Sequence, residues 1–126
     1  MTVLTQPPSL GDILKYELNP NYTRETATLL AGTAYPVGAV LGRITASGKY
    51  KLATSGGTDG AQTAAAMLLY SVDASDADGT GLVIARGPAI VSKAALAFDT
   101  TVDDASKTAT KHGQLTALGI IPRDTA

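Results

Sequence analysis

The chain has 126 residues, a formal net charge of −1 and no cysteine. This length predicts one domain, the scattered basic residues argue against nucleic acid as a partner, and the lack of cysteine excludes a disulfide framework and a thiolate metal site. No apolar stretch reaches the roughly 18 residues that span a bilayer, and the first residues do not resemble a secretion signal, so we expect a soluble, unexported protein with no membrane partner.

The amino-acid composition predicts a thin core. Apolar residues make up 44% of the chain, yet there is one Phe, five Tyr and no Trp. Because large aromatic side chains usually dominate core energetics, a monomer would have little surplus stability. Self-association is therefore our working hypothesis.

Residues 1 to about 24 are predicted to form an extended N-terminal arm. Proline residues fix extended backbone at both ends of the segment, at Pro7-Pro8 and at Pro20. A short helix over residues 10–18 is an alternative, but nothing in the segment could build its own core. The arm's apolar side chains need a surface to cover, so we expect it to order on a partner; the other interpretation is a disordered terminus. Residues 25–126 would then form a single β-rich domain.

Residues 25–52 contain a clear strand and hairpin pattern. Side chains over residues 40–45 alternate between two faces, which is typical of a half-buried strand. Ala46-Ser47-Gly48 suits a hairpin loop with one left-handed position, and the return strand places Tyr50 and Leu52 on one face and Lys49 and Lys51 on the other.

Further elements follow in the second half of the chain. The apolar run at residues 64–72 fits either a helix or a buried strand, and we favour the strand. A strand over residues 82–86 stops at Gly87-Pro88 and resumes at residues 89–91, which implies an edge or a bulge. Residues 104–118 are predicted to form a helix capped by Gly119, followed by a short strand at residues 120–122. The apolar stripe of this helix would be Ala105, Ala109, Leu115 and Leu118.

The search for catalytic chemistry gives mostly negative results. His112 is the only histidine, and it stands beside Lys111 on a helix face predicted to be exposed. The acidic turn near residue 76 lacks two of the oxygen ligands that a calcium loop needs. We therefore expect no catalytic residues, metal ligands or cofactor. A small hydrolase or lyase remains a rival interpretation, using the turn carboxylates Asp59, Asp73, Asp76 and Asp78. A ligand-binding β module, such as a carbohydrate binder on a virion or cell surface, is the second rival, although the absence of Trp counts against it.

Several segments, taken in order, resemble a known family. The segments are TRETATLLAG, PVGAVLGRITASGKYKL, GGTDGAQTAAAMLLYSVDAS and ALGIIPR, spread over residues 23–123. Together they are similar to the lambda-type bacteriophage head decoration proteins. The resemblance implies a mainly β fold, a small β-tulip or barrel-like domain with one C-terminal helix and an extended N-terminal arm. It also implies a homotrimer, not an enzyme, seated on the outer capsid surface and made in the host cytoplasm.

These expectations assign roles to particular residues. The arm would bind the major capsid protein by strand addition to an exposed shell edge. Its anchors would be Leu10, Ile13, Leu14, Tyr16 and Tyr22. The trimer contact is predicted at small residues and at the Gly-Pro break, where neighbouring chains would approach closely. These residues are Thr63, Ala64, Ala66, Gly87 and Pro88.

Overall fold

The computed structural model describes residues 14–124 of the chain. Within this range the helices are α1 (Pro20–Thr23) and α2 (Ala105–Ala117), with a 3₁₀ turn at Lys93–Ala95. The strands are β1 (Leu14–Glu17), β2 (Arg24–Leu29), β3 (Thr33–Tyr35), β4 (Val40–Arg43), β5 (Tyr50–Leu52), β6 (Ala64–Leu68), β7 (Val72–Ala74), β8 (Gly79–Ile84), β9 (Ala89–Ser92) and β10 (Ile120–Arg123). The predicted fold class, mainly β with a barrel-like domain and a C-terminal helix, is confirmed. No helix among the described residues is long and apolar enough to cross a bilayer.

Five strands close into a barrel in the order β2-β5-β4-β6-β8. The predicted hairpin forms β4 and β5, which pair antiparallel with Leu41 opposite Leu52, and Gly48 in the connecting loop has a φ of 74°. The barrel closes where β2 meets β5 in parallel at Leu29 and Tyr50. The apolar run at residues 64–72 begins with β6, so the preference for a strand over a helix is confirmed.

Strand β4 is buried on both faces, and the prediction of a half-buried strand is wrong. Val40 belongs to an apolar cluster that the barrel shares with β9, β10 and α2, whereas Leu41 belongs to a second cluster formed mainly by alternate residues of the barrel strands. Because the outer wall of the barrel is covered by other elements, both faces of the strand lie in a core. The alternation of side chains does not reveal that cover.

Helix α2 forms where the sequence predicts it. The Asp104 carboxylate accepts a hydrogen bond of 2.8 Å from the Lys107 N–H, which caps the N-terminus. The chain leaves the helix through Gly119 at a φ of 84°. The predicted apolar stripe is wrong in its first half, because Ala105 and Ala109 are exposed.

Strand β9 lies at the centre of a three-stranded sheet, between β1 and β10. Tyr16 and Ile121 both align with Ile90, β1 running antiparallel and β10 parallel to β9. The short strand predicted at residues 120–122 is thereby confirmed. Strands β3 and β7 form a separate two-stranded ribbon in which Ala34 pairs with Asp73.

The described part of the predicted arm lies against the body, with β1 paired to β9 as an extended strand and α1 following it. Leu14 packs against the shared apolar cluster and Thr23 is fully buried. Sequence analysis expected an extended segment because these residues cannot form a core of their own. They instead complete a core that the rest of the chain supplies.

Candidate docking surface

Large apolar side chains are exposed at one corner of the molecule. Among the described residues the exposed large hydrophobics are Tyr16, Leu18, Tyr22 and Tyr70. The Leu18 N–H donates to the Pro88 carbonyl at 3.0 Å, which brings an exposed proline next to them. We call residues 16–24 together with Tyr70 and Pro88 the β1–α1 corner. Tyrosine is enriched at protein interfaces because it combines a large apolar ring with a polar end.

An ion pair holds the chain in place at the centre of this corner. Glu17 accepts hydrogen bonds from the Arg24 Nε at 2.9 Å and from the Thr23 hydroxyl at 2.7 Å. Burial alone would raise the pKa of Glu17, but the hydrogen bonds from Arg24 and Thr23 outweigh it and the pKa is lowered. Glu17 and, more weakly, the neighbouring Tyr70 phenol raise the pKa of Arg24. The pair therefore stays charged, and it connects β1, β2 and Tyr70.

Helix α1 turns the chain between Glu17 and Arg24, the two partners of this ion pair. The Asn19 side chain accepts a hydrogen bond of 2.9 Å from the Asn21 N–H, and Pro20 occupies the first turn. Asn at the N-cap followed by Pro is a helix-start signal, because proline has no N–H to leave unsatisfied. Sequence analysis missed that signal and took the same proline as a mark of extended chain.

A second ion pair fixes the tyrosine at the end of this turn. Arg86 pairs with Glu25, and its guanidinium also donates to the Tyr22 carbonyl. The guanidinium carbon lies 5.5 Å from the centroid of the Tyr22 ring, within cation–π range. Tyr22 is thus held while 57% of it stays exposed.

The predicted arm anchors differ in their surroundings. Tyr16 and Tyr22 are exposed on the corner, and Leu14 is half-buried against the core. Leu10 and Ile13 lie outside the described residues. Leu18 and Tyr70 were not predicted as anchors. Tyr70 ends an otherwise buried apolar run, and only the fold shows that it points outward.

The residues predicted for the trimer contact are only partly accessible. Thr63 and Pro88 are exposed and Gly87 is half-buried. Ala64 and Ala66 are 2% and 0% exposed, because each belongs to an apolar cluster of its own chain. These two alanines therefore have no surface to offer a second copy. Their small side chains suggested that two chains could approach closely here. In the structure they instead allow close packing within one chain.

His112 and Lys111 are both less exposed than predicted. The His112 Nε2 is buried without a hydrogen-bond partner in the described structure. The centroid of the His112 ring lies 5.8 Å from the centroid of the Phe98 ring. Lys111 is 1% exposed, and its ammonium donates to the Gln62 carbonyl. Burial lowers the pKa of both groups. A lysine next to the only histidine was taken as a sign of a solvated face, so sequence reasoning missed both.

Two of the four carboxylates proposed for a rival enzyme form ion pairs with lysines. Lys51 pairs with Asp59 and Lys49 with Asp78, each at 2.6 Å. These pairs join the segment around β5 to two acidic turns, so each of the two lysines has a structural partner. Across residues 14–124 no three His, Cys, Asp or Glu side chains are grouped so as to hold a metal ion.

Comparison with known proteins identifies the family. The family model described as bacteriophage lambda head decoration protein D matches residues 3–120. Proteins of that family are structural components of the phage head and not enzymes. No curated protein sequence matches the chain at a significant level. Since the match covers nearly the whole chain, the protein belongs to the bacteriophage lambda head decoration protein D family.

Proposed function

We propose that this chain is a capsid cement protein that binds the outer surface of the assembled head as a homotrimer and stabilises the shell against internal DNA pressure. A ligand that binds the assembled shell but not its separated subunits stabilises the shell by its own binding free energy. The family match and the exposed corner support this proposal. Its partner would be the major capsid protein, and its location the virion surface after synthesis in the host cytoplasm.

The corner and the residues before it divide the binding task. Residues 1–13 precede β1 and would act as the arm, with Leu10 and Ile13 as anchors. Tyr16 and Tyr22 stand on the folded corner, so they would contact the shell without first having to be ordered. Surfaces that are already held in their bound form lose less entropy on binding.

Trimer formation would multiply this interaction. Once one copy has docked, the other copies bind at high effective concentration, and avidity can exceed the affinity of one copy by about 10² to 10⁴ fold. Thr63, Gly87 and Pro88 remain candidates for the contact between copies, since each keeps some exposed surface. The thin core that the composition predicts is a further reason to expect self-association.

The experiment mixes undecorated phage heads with four purified proteins, one at a time, and measures the temperature at which the heads release DNA. The unaltered protein is expected to raise that temperature. Deleting residues 1–13, or replacing Tyr22 by Ser on the folded corner, should remove most of the gain. Ala109→Ser, on an exposed face of α2, is the matched control. Full protection by both the deletion protein and the Tyr22→Ser protein would exclude the arm and the corner as the contacts.

A further inference from the structure

A shallow groove lies on the β3–β7 ribbon, next to the corner. It has a volume of about 350 Å³ and is lined by Ala34, Tyr35, Pro36, Ser71, Val72 and Asp73. We call it the ribbon groove. Tyr35 is 2% exposed and its hydroxyl donates to the Leu30 carbonyl at 2.8 Å, which fixes this side chain. The groove is therefore built on a rigid, largely apolar base.

The ribbon groove is joined to the β1–α1 corner through Tyr70. Tyr70, which is half exposed and interacts with Arg24 of the corner, directly precedes Ser71 in the groove wall. A partner that covers Tyr70 would thus have the groove wall beside it along the chain. In the described structure β3 and β7 pair only with each other, so the outer edge of the ribbon at β3 has no strand partner.

The groove carries a negative charge at its rim. The Asp73 carboxylate accepts hydrogen bonds from the Ser75 N–H at 3.0 Å and from the Ser75 hydroxyl at 2.5 Å. These bonds lower the pKa of Asp73, so the group is ionised at neutral pH. No salt bridge to Asp73 forms among residues 14–124, in contrast to Asp59 and Asp78, which pair with lysines. The free charge suits a cationic partner.

We propose that the ribbon groove takes an extended segment of the capsid protein that carries an apolar side chain and a neighbouring Lys or Arg. The apolar side chain would lie against Val72 and Pro36, and the cation would pair with Asp73. Backbone hydrogen bonds to an open ribbon edge would align the segment, as in strand addition. A small molecule fits less well, because such ligands need several convergent polar groups and this groove has few.

This inference rests on the proposed function, and substitutions at Ala34 test it separately. Ala34 is exposed and aligned with Asp73 across the ribbon, so the two side chains share one face. Ala34→Lys places a cation beside Asp73, Ala34→Glu adds a second carboxylate, and Ala34→Gln is the uncharged control of similar length. The measurement is the Kd for undecorated heads at low and at high salt.

We expect the Ala34→Glu variant to bind heads at least as tightly as the Ala34→Gln variant. The Ala34→Lys variant should bind more weakly than both. The Lys variant should bind roughly fivefold to tenfold more weakly than the Gln variant at low salt, a gap that narrows at high salt. Three variants with the affinity of the unaltered protein would show that nothing occupies the groove. Equal weakening of all three, or weakest binding by the Glu variant, would overturn the cationic partner.

Two further outcomes separate the alternatives. If the unaltered protein fails to bind heads, the proposed function itself fails. If the Ala34 variants alter the sedimentation of the free protein, a second copy of this chain occupies the groove and the inference is wrong.

A benzophenone side chain placed at Ala34 should crosslink to the capsid protein on decorated heads. Crosslinks only between copies of this chain would overturn the inference.

Discussion

Glu17→Gln tests whether the corner is held on the body by the ion pair at its centre. The side chains of Glu17 and Arg24 are 9% and 21% exposed, so the burial of this ion pair is intermediate between that of a surface pair and that of a fully buried pair. Exposed pairs contribute less than about 1 kcal/mol, and breaking a buried pair costs about 3–5 kcal/mol. We expect the substitution to weaken docking of residues 14–23 by about 2 kcal/mol, a factor of roughly 30.

Amide hydrogen exchange is the direct assay, because it measures local opening. The Leu18 N–H, bonded to the Pro88 carbonyl, should exchange roughly 30-fold faster in the Glu17→Gln variant. Amides of the barrel strands should keep their protection, since the segment opens without unfolding the barrel. Asp103→Asn, which breaks the exposed pair with Lys107, is the control and should leave Leu18 unchanged. Unaltered exchange at Leu18 in the Glu17 variant would refute this account of the corner.

The remaining predictions concern packing and pH. A Cβ at Gly42 would lie 2.3 Å from the Ala61 carbonyl oxygen, so Gly42→Ala should unfold or strongly destabilise the barrel in thermal melts. Gly113 has open space around it on an exposed part of the helix, so Gly113→Ala should instead stabilise the protein by about 0.5–1 kcal/mol. A higher melting temperature for Gly42→Ala than for Gly113→Ala would contradict this description of the packing. Since burial lowers the pKa of His112 below 6.5, the unfolded chain binds its proton more readily, and stability should fall as pH drops from 6.5 towards that lowered pKa. Urea unfolding of His112→Gln should lack this slope, and an unchanged slope would assign it to another group. Burial also lowers the pKa of Lys111 below 10.5, so stability should rise with pH between the two values, and Lys111→Met should abolish that rise. A rise that survives the substitution would show that Lys111 is not its source.

The parts of the fold that the sequence predicts are those governed by nearby residues. The β4–β5 hairpin depends on a short loop ending in Gly48, and helix α2 depends on an Asp104 cap and a glycine after its last turn. Each signal lies within a few residues of the structure that it determines. Strand β6 was ambiguous by composition, but its turn signals favoured a strand, and the barrel has one there.

The candidate surface depends on contacts between distant parts of the chain, which no local pattern reveals. Leu18 meets Pro88, and Arg86 reaches back to Tyr22, across more than sixty positions of sequence. The segment, taken alone, therefore gave no sign that it packs on the body, although β9 supplies the edge with which β1 pairs. The same limitation applies to Lys111, whose ammonium donates to the distant Gln62 carbonyl as well as to Gln114 of its own helix.

A preformed corner changes what the decoration protein must do on binding. Ordering a flexible segment costs about 1–2 kcal/mol of backbone entropy for each residue. Residues 14–23 are already ordered against the body, so they would not contribute that cost on the shell. Under the proposed function, the corner would supply contact area at low entropic cost, and the arm would add reach.

An electron cryo-microscopy reconstruction of heads decorated with this protein tests the central claim most directly. The account predicts three copies in each decorating unit, with Tyr16, Leu18 and Tyr22 of every copy in contact with the capsid protein. A reconstruction in which these side chains face solvent, with the opposite face of the barrel on the shell, would contradict it.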